Sequence, residues 1–235
     1  MTAPKVNWSA IKVLTFDCYG TLIDWEKGLL ETLIPVLDAH GVHVPDADVL
    51  GLYADLEQVA EREPYRDYKS VLRLVMDGFA AKFGFRLVDG ERECLVHSLR
   101  QWMPFPDTVE VLRILKETFN MAVVSNVDDD LFSFTEQRLG FRFDWVNTAE
   151  QVRSYKPSLN NFFTAFRRIG VPMSQIVHVA QSLYHDIAPA TQIGVTCVWV
   201  NRRHGQRGHG ATVQGDAKPD IVVPDLHSLI SLINS

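Results

Sequence analysis

Asp17 closes the first apolar run of the chain, Ile11-Lys12-Val13-Leu14-Thr15-Phe16, and is followed by Cys18-Tyr19-Gly20-Thr21-Leu22. An acid at the end of a buried strand, with a glycine to turn the chain behind it, sits where open α/β sheets bind their ligands. Three other positions share that placement. Ser125-Asn126 ends a β-rich run and offers a hydroxyl, an amide and backbone N–H groups at the mouth of the next helix, a cradle for an anion. Lys156, in Ser154-Tyr155-Lys156-Pro157, is held by Pro157 at a loop-to-helix junction, where one fixed positive charge orients and ionises the Asp17 carboxylate. Asp186 follows a further apolar run by the short turn Gln181-Ser182-Leu183-Tyr184-His185.

These four positions meet only if the strands carrying them run parallel. Ile11–Phe16, Met121–Asn126, Trp145–Thr148, Ile176–Ala180 and Val195–Val200 are short β-rich runs, and Asp220–Pro224 adds an edge strand that Pro224 ends. Helical patterns such as Thr108–Phe119 and Asn160–Ile169 alternate with them, which means a parallel sheet covered on both faces. Between the first two strands the pattern is helical for a long way: Leu29, Leu30, Leu33, Ile34 and Leu37 recur at helical spacing, then Val49–Glu63, Tyr68–Phe83 and Glu91–Trp102. The fold expected is therefore α/β, a Rossmann-like doubly wound parallel sheet with an inserted helical cap. Residues 1–24 and 103–235 form the core domain and residues 25–102 the cap, which lies over the strand ends.

Composition narrows the function classes. With 46% hydrophobic and 22% charged residues over 235 positions the chain is an ordinary globule, and no apolar stretch approaches the roughly 20 residues of a membrane span. No basic region precedes an apolar one at the N-terminus, so no secretion is expected. A net charge of -6 disfavours nonspecific nucleic-acid binding, and the basic stretch from Asn201 to Arg207 reads as a solvated loop. Cys18, Cys94 and Cys197 are far apart, without the spacing of a zinc site or a disulfide framework, which fits a reducing, cytoplasmic setting. Cys18 beside the acid reads as a small core residue.

Order and spacing together resemble the haloacid dehalogenase superfamily: Asp17 to Thr21 matches its first motif, Ser125 its second, Lys156 its third and Ala180 to Asp186 its fourth. Most members are magnesium-dependent phosphatases, with a second Asp two residues after the nucleophile and Gly-Asp opening the fourth motif. Phosphate chemistry explains both, because a basic alkoxide leaving group needs a proton donor and a dianionic phosphoryl group needs a cation. Here those places hold Tyr19 and Ala180-Gln181. A carbon–halogen bond makes neither demand, since halide leaves unprotonated and the carbon is neutral. Phe16-Asp17-Cys18-Tyr19-Gly20-Thr21-Leu22 is similar to the first motif of the L-2-haloacid dehalogenases, the metal-independent hydrolytic branch, in which Tyr also takes this place.

That resemblance implies hydrolysis of a short 2-haloacid to the 2-hydroxyacid, with no metal and no cofactor. Asp17 would attack the halogen-bearing carbon with inversion and form an ester, which water opens at the Asp17 carbonyl. Thr21 and Lys156 would fix Asp17, Ser125 would hold the substrate carboxylate, Asn126 would lie near the departing halide, and Asp186 would position or activate the water. Tyr19 would serve as pocket wall. The branch's halide-binding Arg has no firm counterpart, with Arg66 the nearest candidate and Tyr65 and Tyr68 as walls. Gln181, Leu183, His185 and Phe162 depart from the branch; His185 either lines the pocket, where its protonated form would bind halide, or packs, and Phe162 reads as core with Phe166 and Ile169. The partner is a small molecule, and relatives of this type are commonly dimers. Two other readings stand beside this one. A phosphatase would recruit metal ligands from Asp17, Asp186 and Asp128 or Asp129, and a catalytically silent protein would bind a small anion in the same crevice.

Overall fold

The computed structural model describes residues 6–62, 64–205 and 208–234. Six strands, β1 (Val13–Phe16), β2 (Asn120–Ser125), β3 (Trp145–Thr148), β4 (Ile176–Ala180), β5 (Thr196–Val200) and β6 (Ile221–Val223), form one sheet in the order β3-β2-β1-β4-β5-β6. Every neighbouring pair is parallel. The chain builds outward from β1 through β2 to β3, then returns to lay β4 on the other side of β1. The switch point thus falls between β1 and β4, and the segments after these strands carry Asp17 and Asp186.

Strands β1 and β4 are buried along their whole length, and their alternate residues feed two separate cores. Leu14, Phe16, Val177 and Val179 join the larger one with Val111, Leu112 and Leu115 of α5 (Thr108–Lys116) and Leu226 and Leu229 of α10 (Leu226–Ile233). Val13, Ile176 and Ala180 face the smaller one, where α8 (Leu159–Ile169) contributes Phe162, Ala165, Phe166 and Ile169 and α9 (Ala188–Gln192) contributes Ala190. Phe162 is fully buried there, as its helical spacing predicted. Helices α6 (Asp129–Leu139) and α7 (Ala149–Val152) complete the crossovers around β3.

The helical insert follows β1: α1 (Trp25–Ala39), α2 (Asp46–Ala60), α3 (Tyr68–Phe83) and the short α4 (Cys94–Ser98). Asp24 and Asp67 accept backbone N–H bonds at the starts of α1 and α3, and Gly84 ends α3 in the left-handed conformation. The single helix expected over 91–102 is instead two 3-10 turns flanking α4. Gly90 enters this segment at a φ of 89°, and the Ser98 hydroxyl donates to the carbonyl of Leu95, which competes with regular helical bonding.

The basic stretch after β5 also departs from expectation. Arg202 is not solvated: it stacks 4.2 Å from the Phe105 ring centre, pairs with Asp107 at 2.7 Å and donates to the carbonyl of Thr21. Arg203 pairs with Glu26. Gln206 and Arg207, the end of that stretch, lie outside the described residues, as does Glu63 of α2's expected extension.

Candidate active site

The loop after β1 turns at Gly20, whose φ of +91° favours glycine; a Cβ there would come within 3.0 Å of the Trp25 indole nitrogen and 3.1 Å of Gln181 Oε1. This turn leaves Asp17 at the sheet edge, 6% exposed, and brings Thr21 back beneath it. The Thr21 hydroxyl donates to Asp17 Oδ2 at 2.7 Å while accepting the Gln181 N–H at 2.8 Å, so the loops after β1 and β4 are tied at the nucleus of the site.

Lys156 bridges them from the third loop. Its Nζ lies 2.7 Å from Asp17 Oδ1, 2.7 Å from Asp186 Oδ1 and 2.9 Å from the carbonyl of Val124, three acceptors for three N–H bonds. Asn126 sets this lysine in place: its Oδ1 accepts the Lys156 backbone N–H at 2.7 Å and its Nδ2 donates to the Lys156 carbonyl at 3.1 Å. Asn126 also lines the cavity, but its amide is spent on Lys156 and on Glu61.

Asp186 arrives by an unusual turn. Leu183–Ile187 is a single turn of π-helix, closed by the Ile187 N–H on the Ser182 carbonyl at 3.1 Å, and its extra residue turns both His185 and Asp186 toward the site. Beneath Asp186, His178 of β4 places Nε2 3.0 Å from Asp186 Oδ1 and Nδ1 2.9 Å from the Thr15 hydroxyl. A carboxylate only accepts, so Nε2 carries the proton in this contact. Asp186 Oδ2 and Ser125 Oγ are both buried with no hydrogen-bond partner.

Electrostatics differ between the two acids that share Lys156. Burial pushes the Asp17 carboxyl above its ordinary value against the pull of Lys156, while burial of Asp186 is outweighed by Lys156 and His178, which hold it below. Lys156 itself is raised despite its own burial, because both carboxylates favour its charge. A desolvated carboxylate kept ionised by a lysine is suited to attack on an electrophilic carbon.

The cavity in front of Asp17 measures about 40 Å³ and is lined by Tyr19, Trp25, Ser125, His185 and, from the insert, Glu57, Glu61 and Tyr68. Tyr19 is a wall whose hydroxyl is taken by Thr135 at 2.8 Å. His185 faces the cavity, yet burial pushes it down to about 4, so it presents a neutral ring and no cation for a halide. Arg66 does not reach the cavity at all. Its guanidinium bonds the Ala60 carbonyl and sits near Arg73 and Arg92 on an outer surface, so the expected halide-binding role is not met by this residue. Tyr68 is a wall as expected, whereas Tyr65 stacks on Tyr155 with ring centres 5.3 Å apart.

Glu57 and Glu61 were not anticipated as site residues. The signal was present: Leu50, Tyr53, Ala54, Glu57 and Ala60 fall on the buried stripe of α2, so Glu57 is a charge on an apolar face. His178 was hidden within a strand, where a polar residue reads as ordinary alternation.

The residues do not fit a divalent cation of the phosphatase kind. Tyr19 occupies the second acid's place, and Gln181 stands where the fourth motif of a phosphatase opens with its Asp. Asp128 is turned to the start of α3, accepting the Tyr68 and Lys69 N–H bonds at 2.8 and 3.0 Å, and Asp129 is bonded by Thr148 and Gln151. Among the described residues no three His, Cys, Asp or Glu side chains converge as a metal site.

Residues 11–194 match the family model of haloacid dehalogenase-like hydrolases. An (S)-2-haloacid dehalogenase of Pseudomonas fluorescens is 25% identical over 96% of this chain and 98% of its own. A phosphoglycolate phosphatase of Pseudomonas savastanoi is 28% identical over 93% of this chain and 78% of its own. Among solved structures, the L-2-haloacid dehalogenase of Xanthobacter autotrophicus superposes with a TM-score of 0.79 at 19% identity, covering 96% of this chain and 99% of that one. With the family model covering most of its length, the chain belongs to the haloacid dehalogenase-like hydrolase family.

Proposed function

We propose that the protein is a hydrolase of carbon–halogen bonds that acts without a metal on short 2-halogenated acyl compounds, the 2-haloacids being the class named for its relatives. The observation that carries this reading is Tyr19 where a phosphatase needs its second acid, beside an Asp17 carboxylate that Lys156 and Thr21 hold. That arrangement supplies an ionised, oriented carboxylate and no proton donor for an alkoxide, which suits a leaving group that departs as an anion.

In the first step an Asp17 carboxylate oxygen forms a bond to C2 from the side opposite the halogen, and the C–X electron pair leaves as halide, inverting the carbon. The product is an ester of Asp17. Water then adds to the ester carbonyl of Asp17, whose carboxylate retains the water oxygen; the 2-hydroxy product leaves with the original Asp17 oxygen and one proton is released. Thr21 and Lys156 hold the carboxyl oxygens through both steps. The unpaired Asp186 Oδ2 offers the water an acceptor, with His178 fixing the other oxygen. Ser125 Oγ is free to bond the substrate's acyl oxygen. The helical insert of residues 25–102 acts as the cap that excludes bulk water, through Glu57, Glu61 and Tyr68. A cytoplasmic setting is supported by three cysteines that all remain free.

The test is halide release from chloroacetate and both enantiomers of 2-chloropropionate, with and without EDTA, beside hydrolysis of a generic phosphate ester. Halide release insensitive to EDTA and absent in Asp17→Ala is expected. EDTA-sensitive phosphate release with no halide would overturn the reading in favour of a phosphatase.

A further inference from the structure

The wall of the cavity opposite Asp17 is acidic, which is unexpected for a site meant to receive an anion. Successive turns of α2 and the residue just beyond it present Tyr53, Glu57 and Glu61. The hydroxyls of Tyr53 and Tyr68 both donate to Glu57 Oε1, at 2.8 and 2.6 Å, so that carboxyl is held in a built setting. Glu61 Oε1 accepts the Asn126 amide at 3.1 Å, and its Oε2 is 4.0 Å from His185 Nε2. Among the described residues lining the cavity, Lys156 is the one Lys or Arg, and its three N–H bonds are already given to Asp17, Asp186 and a carbonyl.

A substrate carboxylate bound here would lie among Asp17, Glu57, Glu61 and Asp186 with no spare cation. Like charges brought together in a site of low polarity discriminate against the wrong partner. An uncharged acyl end removes that penalty. Its carbonyl oxygen can take the buried Ser125 hydroxyl, which has no partner, while an amide N–H₂ supplies donors to the carboxyl oxygens of the acidic wall. The cavity is small, about 40 Å³, which weighs against any but the shortest substrates.

We propose that Glu57 and Glu61 are specificity determinants that make this site prefer a short 2-haloamide over the corresponding 2-haloacid. This rests on the carbon–halogen reading above and refines the non-reacting end of its substrate. Burial raises both glutamates above the ordinary carboxylate range, Glu57 to about 7, so a free acid is tolerated best where the wall is protonated and is rejected increasingly above that pH.

Chloroacetamide and chloroacetate form a matched pair of equal size and equal leaving group, differing in charge. Halide release from each is measured at pH 8, with Asp17→Asn subtracted as the thiol-alkylation background. The wild type is expected to favour the amide in kcat/KM by at least about tenfold, and Glu57→Gln to shrink that ratio by a similar factor, chiefly through a lower KM for chloroacetate. The same measurement on Glu61→Gln guards against a single misfolded variant. Equal or greater use of chloroacetate by the wild type, or a ratio unmoved in both variants, overturns this inference and leaves the dehalogenase reading intact. Absence of Asp17-dependent halide from either compound overturns that reading, and this inference with it.

Discussion

Lys156 carries more of the site than any other residue, since one buried ammonium, 2% exposed, satisfies two buried carboxylates at once. Its geometry is itself fixed by Asn126, so a residue that lines the cavity also positions the lysine. Glu57 poses the opposite electrostatic case, a buried acid whose neighbours are hydroxyls and other acids rather than a cation. Burial raises it from 4.5 to about 7 against the pull of the Tyr68 and Tyr53 hydroxyls. A folded-state pKa above the unfolded value means that the folded chain binds the proton more tightly. Stability is therefore full below about 4.5 and is lost as pH rises through about 7, by a total on the order of 3 kcal/mol. Glu57→Gln keeps an oxygen for both tyrosines and removes the titration. Urea unfolding should find it more stable than the wild type at pH 8, with the difference shrinking toward pH 5; a constant difference across that range would contradict this assignment. Of the groups around Glu57 in this cavity, Glu61, Asp17, Tyr53 and Tyr68 bring no positive charge, burial disfavours the charged form of His185, and the Lys156 ammonium is committed to Asp17 and Asp186, so the sign stands.

At the scale of elements, the insert is joined to the sheet through a small set of polar contacts at the rim of the cavity. Asp128, just after β2, accepts the first two N–H bonds of α3 across the boundary, Glu61 meets Asn126, and the Tyr155 hydroxyl donates to the Arg66 carbonyl at 2.8 Å. The Asp128 contact satisfies helix-terminal donors that water would otherwise have to reach, since Asp128 is 1% exposed. Asp128→Ala should cost about 1–2 kcal/mol of stability and speed hydrogen exchange at the first turn of α3 while leaving the strands protected. Exchange that rises uniformly over the whole chain would mean that Asp128 supports the core rather than the join. This contact also explains why Asp128 is no metal ligand: the carboxylate that a phosphatase reading would recruit is spent on α3.

At the scale of the whole molecule, much of the architecture was legible in the chain because it rests on local periodicity. The strand runs are found within a residue or two of their expected bounds, and Asp17, Ser125, Lys156 and Asp186 do converge at one sheet edge because every strand is parallel. What escaped depends on the third dimension. Arg66 is near the cavity in sequence, but its guanidinium turns outward to the Ala60 carbonyl, and no spacing rule predicts a side-chain direction in a loop. The role of Arg202 required knowing that the loop after β5 folds back on Thr21 and Asp107. The acidic wall was visible only as a glutamate out of pattern on α2, and its meaning came from the cavity it faces. The central claim, that Asp17 itself becomes esterified and is then hydrolysed, is tested most directly by one turnover in water enriched in heavy oxygen, with enzyme in excess over chloroacetamide or chloroacetate. The account predicts a hydroxylated product free of label and a peptide containing Asp17 that carries it. Label in the product and none in Asp17 would mean that water attacks carbon directly, and would contradict it.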